Sequence, residues 1–271
     1  MARGGNLSFI QPESIAEFKE AIRAHDRLQI AGSQSRQEWV HQSNHAKIST
    51  KRWTGIMDYR PDDLVVTVKT GTPLDELVKD VEKRGLTIPG SADWGVLGNR
   101  GGTVGGWVAT GLPHGWEVRW RSVRDWVLQT KCITASGEEF TSGAQVVKSV
   151  AGFDLHRAAV GSRGGLFLIT EITLRLAPAR AVISFEELEF KPDYIGRMRL
   201  SEIPNEAPLN TRICRETGNV WTANPGMLSK MTSWMGRDGA RSPFSPDLGH
   251  LERRMKEVFD PEMIFAEGWR R

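Results

Sequence analysis

The sequence lacks the features that mark several large classes of protein. It has only two cysteines, Cys132 and Cys214, among 271 residues, so a disulfide framework is excluded and both thiols are expected in the core of a protein from a reducing compartment. No stretch approaches the ~18 apolar residues of a membrane-spanning helix. The first ten residues also lack the apolar run of a signal peptide. These absences predict a soluble, cytoplasmic protein without a transmembrane segment.

A strong excess of charge of either sign is absent as well. The formal net charge is only +3, far from the concentrated basic character of a dedicated nucleic-acid binder. Hydrophobic residues make up 39% of the chain and charged residues 25%, which is enough apolar material for a packed core. The length suits one large domain or two modest ones.

Two common nucleotide-binding motifs are missing, although one stretch is very rich in glycine. Residues 98–111, GNRGGTVGGWVATG, contain six glycines in fourteen positions, which disfavours regular structure unless something must approach the backbone closely. Neither G-x-x-x-x-G-K-S/T nor G-x-G-x-x-G occurs in it. The pattern is typical of a turn that leads into a short helix whose N-terminal amides bind phosphate, and a plain loop is the alternative.

Hydrophobic periodicity predicts strands that alternate with helices over the first ninety residues. The predicted strands lie at 7–10, 28–31, 64–70 and 86–88, with an extended piece at 48–59, and the predicted helices follow Pro12 and Thr72. Later segments predict strands at 124–134, 138–141, 166–176 and 181–190 and helices at 155–160 and 248–259. Residues 191–250 carry no clear pattern.

Four ordered segments carry a resemblance to a known family. They read GGTVGGWVATG (101–111), SVRDWVLQTKCITASGE (122–138), VVKSVAGFDLHRAAVGSRGGLFLITE (146–171) and ITEITLRLAP (169–178). Together they resemble the FAD-binding domain of the vanillyl-alcohol oxidase and p-cresol methylhydroxylase superfamily, and within it the FAD-binding subunits of bacterial glycolate oxidases. The resemblance implies an α+β fold of two FAD-binding subdomains, 1–88 and 89–180. A shortened C-terminal cap and a returning helix would follow at 181–271.

The resemblance also implies where FAD binds. The residues that match its cofactor-binding positions are Gly32, Ser33, Gln34, Ser35, Pro89, Gly90, Gly101, Gly102, Thr103, Gly105, Gly106, Ala109, Gly111, Ser122, Val123, Asp125, Lys148, Gly152, Asp154 and Ile169. The same residues also have ordinary structural interpretations: Asp154 could simply cap the helix that follows it, and Lys148 could lie on the surface. No catalytic residue and no metal site is assigned.

The chain departs from the family at the first phosphate loop. Members carry Arg-Gly-Gly-Gly-Ser/Thr there, whereas residues 31–36 read AGSQSR, so one glycine of three is retained. A positive φ at the lost glycines would strain Ser33 or Gln34 unless the loop changes shape. The hydroxyls of Ser33 and Ser35 could donate to phosphate instead. The loop contains no histidine, so FAD is expected to be non-covalent.

Three functions remain open. The first is the flavoprotein subunit of a glycolate-oxidase-like complex that oxidises a small 2-hydroxy acid by hydride transfer to FAD. Its partners would be a larger flavoprotein subunit and an iron–sulfur subunit, which would place it peripherally at the inner membrane. The second is a non-catalytic accessory or scaffold subunit with weak or lost flavin binding.

The third function is single-stranded nucleic-acid binding. It rests on Arg100, Arg119, Arg121 and Arg124, which alternate with four tryptophans at 107, 116, 120 and 126, because base stacking with phosphate contacts uses these residue types. We favour instead a surface that anchors the FAD domain or docks a partner subunit, with no nucleic-acid ligand.

Overall fold

In the computed structural model the described residues are 9–35, 40, 43–89, 101–112, 121–145, 154–179, 192–215, 217–236, 240 and 246–266. Their helices are α1 (Ile15–Arg23), α2 (Leu74–Glu82), α3 (Val104–Thr110), α4 (Leu155–Ala159) and α5 (Pro246–Phe259). Their strands are β1 (Phe9–Ile10), β2 (Leu28–Ala31), β3 (Ala46–Ser49), β4 (Ile56–Arg60), β5 (Val65–Lys69), β6 (Leu86–Thr87), β7 (Val127–Ile133), β8 (Glu139–Gly143), β9 (Leu168–Arg175), β10 (Ala177–Pro178), β11 (Tyr194–Arg197), β12 (Thr211–Ile213), β13 (Asn219–Thr222) and β14 (Ser233–Gly236).

The first subdomain is a small parallel sheet covered by α1. The strand order is β1-β3-β2. Helix α1 begins where the sequence predicts, because the Ser14 hydroxyl accepts a hydrogen bond from the Glu17 amide at 3.2 Å and so caps the first turn. Its apolar face buries Phe18 and Ile22 in one cluster with Leu28. This α/β unit confirms the periodicity of the first fifty residues.

The second subdomain is an antiparallel sheet in the order β4-β5-β9-β7-β8. Strand β5 pairs with β9 from Val65↔Arg175 to Lys69↔Glu171, and a turn at residues 134–138 joins β7 to β8 in an antiparallel hairpin. The two subdomains and the mixed helix and strand content confirm the predicted α+β fold class. The boundary at residue 88 stays a prediction, and the antiparallel sheet takes strands from both sides of it.

The main core lies between this sheet and the helices α2 and α3. Leu77 and Val81 of α2 and Val104 and Val108 of α3 are almost fully buried there, at spacings of three or four residues that place them on one helix face. Phe167 packs against the same core. Helix α3 is therefore held against the sheet at the point where the glycine stretch begins.

The C-terminal region contains a further sheet that the sequence does not predict. Strands β12-β13-β11-β14 form a four-stranded antiparallel sheet, with a small core around Met198, Val220, Met227 and Met231. Its strands have only three or four residues each, too few to show an alternating pattern among the Asn, Gly and Pro around them. The strand predicted at 181–190 lies outside the described residues.

The two cysteines differ in their surroundings. Cys132 is buried in β7, and Cys214 is half-buried. Burial raises the pKa of the Cys132 thiol to about 12, which leaves it protonated and inert at neutral pH. The core position expected for both thiols is thus confirmed for Cys132 only. Among the described residues, no helix is both long enough and apolar enough to span a membrane.

The buried imidazole of His156 in α4 gives the fold a pH dependence. Its backbone amide donates to the Ser142 hydroxyl at 3.0 Å, and the side chain is almost fully buried. Burial lowers the pKa of His156 below its ordinary value of 6.5, against the opposing effect of the Asp154 carboxylate. The unfolded chain binds this proton more readily than the folded chain does. The contribution of neutral His156 to the stability of the fold is therefore fully present above the ordinary pKa and is lost as the pH falls below it.

We therefore expect His156→Asn to weaken the acid sensitivity of the fold. Between about pH 7.5 and about pH 5.5, the melting temperature of the parent should fall further than that of the variant. Each 1 kcal/mol of this difference corresponds to about 2–4 °C for a chain of this size. Thermal unfolding followed by circular dichroism measures both. Equal pH dependence in the two proteins would contradict this assignment.

Candidate functional site

A deep cleft lies between the two subdomains, at the carboxyl ends of the parallel strands β2 and β3. Its empty space, counted together with the part open to solvent, is about 800 Å³. One wall is the chain that leaves β2, and the other is α3 with the turn before β9. In sheets of this kind, ligands bind beyond the carboxyl ends of the strands.

The described lining is built mostly from small and polar residues, and no carboxylate is among them. Two of these described side chains are charged, Lys47 and Arg163, and both are cationic. Apolar contact comes chiefly from Ile30, Phe167 and Ile169. The full lining is Gln29, Ile30, Ala31, Gly32, Ser33, Gln34, Ser35, Val40, Lys47, Thr50, Thr70, Thr103, Gly105, Gly106, Ala109, Thr110, Arg163, Gly164, Phe167 and Ile169. Such a cleft favours an elongated anion over a cation.

The loop after β2 forms the first wall, and its backbone shows how the chain accommodates the loss of two of the family's three glycines. Gln34 adopts a φ of 61°, so a non-glycine residue does occupy the left-handed region there, at a cost of about 1–2 kcal/mol. The carbonyl of Gly32 accepts from the Ser49 hydroxyl at 3.0 Å, which ties the loop to the end of β3. The loop thus keeps a glycine-like backbone at Gln34 and presents Ser33 and Ser35 to the cleft.

The glycine stretch does lead from a turn into a helix, as predicted. Gly101 and Gly102 have positive φ values of 109° and 121°, a conformation that other residues rarely adopt. Thr103 then caps α3 by accepting the Gly106 amide at 3.1 Å. The plain-loop alternative is therefore wrong for this segment.

The predicted phosphate donors in the first turn of α3, however, are already engaged. The amide of Val104 donates to the Thr72 carbonyl at 2.9 Å, and the amide of Gly105 donates to the Thr70 carbonyl at 2.8 Å. With the Gly106 amide bound by Thr103, no amide of Val104–Gly106 points outward for an anion. These three amides therefore donate within the chain, and contact between the glycine stretch and phosphate stays a prediction.

Close packing explains why glycines occur at positions 32 and 105. A Cβ on Gly105 would lie 2.7 Å from the Thr70 Cβ, and one on Gly32 would lie 2.3 Å from the Thr103 Oγ1. Both distances are shorter than real Cβ contacts, so the Gly105 backbone packs directly on Thr70 and the Gly32 backbone packs directly on the Thr103 side chain. At Gly106 only the Thr103 Oγ1 lies within 4 Å, at 3.2 Å, so a side chain there would project into the cleft.

The structure brings nine of the twenty predicted cofactor residues together and leaves eight outside the cleft lining. The nine are Gly32, Ser33, Gln34, Ser35, Thr103, Gly105, Gly106, Ala109 and Ile169. The eight are Pro89, Gly101, Gly102, Gly111, Ser122, Val123, Asp125 and Asp154. Gly90, Lys148 and Gly152 lie outside the described residues, so their roles stay predictions.

Several of these eight have clear local contacts. The Ser122 hydroxyl donates to the Asp125 carboxylate at 3.0 Å, and Val123 is buried in the main core. Asp154 occupies the N-cap position of α4 but accepts no capping hydrogen bond; its carboxylate lies 3.4 Å from the Arg157 Nε. Gly111 ends α3 with a φ of 55°. Contact with FAD at these positions stays a prediction.

Arg163 is the residue in the cleft that the sequence reading missed. It is 4% exposed and adopts a φ of 51°, followed by Gly164 with a φ of 76°. Positive φ at both central residues, with the Gly165 amide donating to the Ser162 carbonyl at 2.9 Å, matches a type I′ turn. A left-handed arginine costs about 1–2 kcal/mol, and such strain is concentrated at functional sites. The signal available was the Ser-Arg-Gly-Gly string (162–165) itself.

Two tryptophans of the tryptophan and arginine pattern lie among the described residues, and they do not form the predicted exposed surface. Trp107 and Trp126 are 4% and 7% exposed, so neither ring is available for stacking with a base or a partner. Trp116 and Trp120 lie outside the described residues. This burial argues against the single-stranded nucleic-acid alternative. The surface proposed to dock a partner is likewise wrong for these two rings.

Comparison with known proteins places these features in context. Residues 7–143 match a family described as the FAD binding domain. Glycolate oxidase subunit GlcE of Escherichia coli (strain K12) is 36% identical over 194 residues, which are 70% of this chain and 55% of that protein. D-lactate dehydrogenase of Anaerostipes hadrus is 35% identical over 147 residues, 52% of this chain and 30% of that protein. The chain thus spans about half, or less, of the length of these relatives.

A solved structure supports the fold. Alkyldihydroxyacetonephosphate synthase superimposes with a TM-score of 0.50 at 18% identity, over 63% of this chain and 31% of that one. The cleft itself fits FAD. Two cations, with no carboxylate among the described lining residues, suit a diphosphate, and Gly106 and Ala109 present little side-chain bulk to the cleft.

Substitution at Gly105 and Gly106 should separate packing from ligand contact. We expect Gly105→Ala to destabilise the fold by about 1–3 kcal/mol, because its methyl meets Thr70. Gly106→Ala should change stability by less than about 1 kcal/mol but lower FAD affinity about tenfold, because its methyl enters the cleft. Thermal unfolding without ligand and fluorescence titration with FAD measure the two effects. Unaltered FAD affinity in Gly106→Ala would contradict this placement.

Proposed function

The chain belongs to the family of FAD binding domains, and on this premise we propose that it oxidises a small 2-hydroxy acid as the FAD-binding subunit of a larger oxidoreductase. FAD is the cofactor of this chain, which is an FAD-binding oxidoreductase of the glycolate oxidase and D-lactate dehydrogenase type. The observation that carries the proposal is the cleft between the two subdomains, whose described lining holds two cations, no carboxylate and nine of the predicted cofactor residues. The word subunit in the name of the Escherichia coli relative supports a partner chain.

We assign the diphosphate of FAD to the part of the cleft between Gly32–Ser35 and Arg163. The serine hydroxyls can donate to phosphate oxygens, and Arg163 and Lys47 supply the positive charge that the engaged amides of α3 do not. Ile30, Phe167 and Ile169 offer apolar surface to a ring. When bound, FAD supplies the hydride acceptor for the oxidation.

The described part of the cleft offers no general base. Oxidation of a 2-hydroxy acid needs a group that takes the hydroxyl proton as hydride leaves the carbon, but no His, Asp, Glu or Tyr is among the described lining residues, and we assign Lys47 to the diphosphate. This favours a second candidate function, an accessory subunit that binds FAD without turning over a substrate. The share of the relatives' length that the chain spans, 55% and 30%, is compatible with either role.

Anaerobic spectroscopy of the purified chain distinguishes the two roles. A flavin absorption spectrum that persists after gel filtration would establish tight FAD binding, and glycolate or D-lactate should then bleach it if the chain is catalytic. Bleaching by dithionite but by neither acid would support the accessory role. A colourless protein that does not take up added FAD would overturn both.

We expect Arg163→Gln to weaken binding of the phosphate-bearing half of FAD. Its affinity for ADP should fall about tenfold to a hundredfold, which is the range for loss of a charge-assisted contact, while its affinity for adenosine should stay the same. Isothermal titration measures both. Arg23→Gln, which removes an exposed cation at the end of α1, is the matched control and should change neither. Equal losses of affinity for ADP and adenosine would contradict the assignment of the diphosphate to Arg163.

A further inference from the structure

The C-terminal helix places a buried ammonium group directly behind the cleft. Lys256 of α5 is 4% exposed, and it does not line the cleft. Its Nζ donates to the Gly165 carbonyl at 2.5 Å, to the Asp260 carboxylate at 2.5 Å and to the Phe265 carbonyl at 2.7 Å. An ammonium has three donors, so each of them has an acceptor here.

The partner carboxylate is equally well satisfied. Asp260 is fully buried, and besides Lys256 it accepts the amides of Ile264 at 2.7 Å and Phe265 at 2.8 Å. A buried ion pair is tolerated only when further hydrogen bonds complete both groups, as they do in this pair. The chain after α5 is thereby folded back onto the helix end.

This ion pair connects both walls of the cleft. The returning chain continues along β2, where the Leu28 amide donates to the Ile264 carbonyl and the Ala266 amide donates to the Leu28 carbonyl, both at 2.7 Å. Strand β2 leads directly into the Gly32–Ser35 wall. On the other side, Gly165 closes the strained turn that carries Arg163.

The two walls also touch at this point. A Cβ on Gly164 would lie 2.8 Å from the Cβ of Ile30 in β2. The turn therefore lies directly against β2, and it keeps this close contact only if its backbone is held in place. The Arg163 amide is tied to the Ala109 carbonyl at 2.8 Å. The hydrogen bond from Lys256 to the Gly165 carbonyl holds the turn at a second point. Helix α5, which carries Lys256, lies outside the two subdomain sheets.

We propose that Lys256 is a positioning residue for the cofactor site. It holds the Ser162–Gly165 turn in its strained conformation through the Gly165 carbonyl, so that Arg163 meets the diphosphate in the assigned place. FAD affinity therefore depends on a side chain that does not touch FAD. The inference rests on the assignment of Arg163 in the proposed function.

Two variants separate positioning from plain stability. Lys256→Met removes the bond to the Gly165 carbonyl, whereas Asp260→Asn disturbs the same buried pair and keeps that bond. We expect both to lower the melting temperature, and only Lys256→Met to weaken FAD binding by about tenfold or more. Lys83→Met, which breaks an exposed pair with Asp80, is the surface control. Unchanged FAD affinity in Lys256→Met would overturn the proposal, as would parallel losses of affinity and stability in both variants.

A double-mutant cycle tests the route through Arg163. If Lys256 acts on that turn, Lys256→Met should reduce the preference for ADP over adenosine, and adding it to Arg163→Gln should bring little further loss. Fully additive effects would contradict the route. A parent chain that binds neither FAD nor ADP would instead defeat the proposed function itself.

Hydrogen exchange on the parent protein covers the case in which Lys256→Met fails to fold. The amides of residues 161–166 and of α5 should then exchange with the same protection, because the ion pair makes them one cooperative unit. Faster exchange in the turn than in α5 would overturn the proposal.

Discussion

The close approach of α3 to the end of β5 is the constraint on which the cleft depends. At Gly105 the helix backbone lies directly on Thr70, whose carbonyl accepts the Gly105 amide at 2.8 Å. On the opposite side the N-cap residue Thr103 lies against Gly32 of the first wall. One threonine thus caps the helix and touches both subdomains. The width of the cleft follows from these contacts, since neither backbone can move closer or accept a side chain between them.

Charge in the site is arranged in two layers. Arg163 and Lys47 face the cleft, and the ammonium of Lys256 lies behind it with all three of its donors engaged. The inner ammonium stabilises a turn and not a ligand, because its charge is already paired with Asp260. The outer cations supply what the engaged amides of α3 do not, namely attraction for a diphosphate.

Local patterns predicted the elements that surround the site. Phe18 and Ile22 predict α1 because helical periodicity acts within a few residues. The glycine pairs that run into a small, apolar stretch predict the short helix α3 in the same way. The four-stranded C-terminal sheet escaped prediction because strands of three or four residues carry too little periodicity to stand out. Arg163 escaped because the Ser-Arg-Gly-Gly string (162–165) indicates a turn but does not show that this turn lines a cleft.

The amino-acid sequence by itself determined the fold class, the order of the main helices and strands, the family and the glycines at which backbones must meet closely. The helices and strands follow from residue size, capping and periodicity, which act over short distances along the chain, whereas the fold class and the family follow from the resemblance of four ordered motifs. Only the tertiary structure decided which groups face the cleft and which amides are already bound. Those outcomes depend on contacts between distant segments, such as Thr70 with Gly105, Ile30 with Gly164 and Gly165 with Lys256. Packing brings these partners together, and no local pattern encodes it.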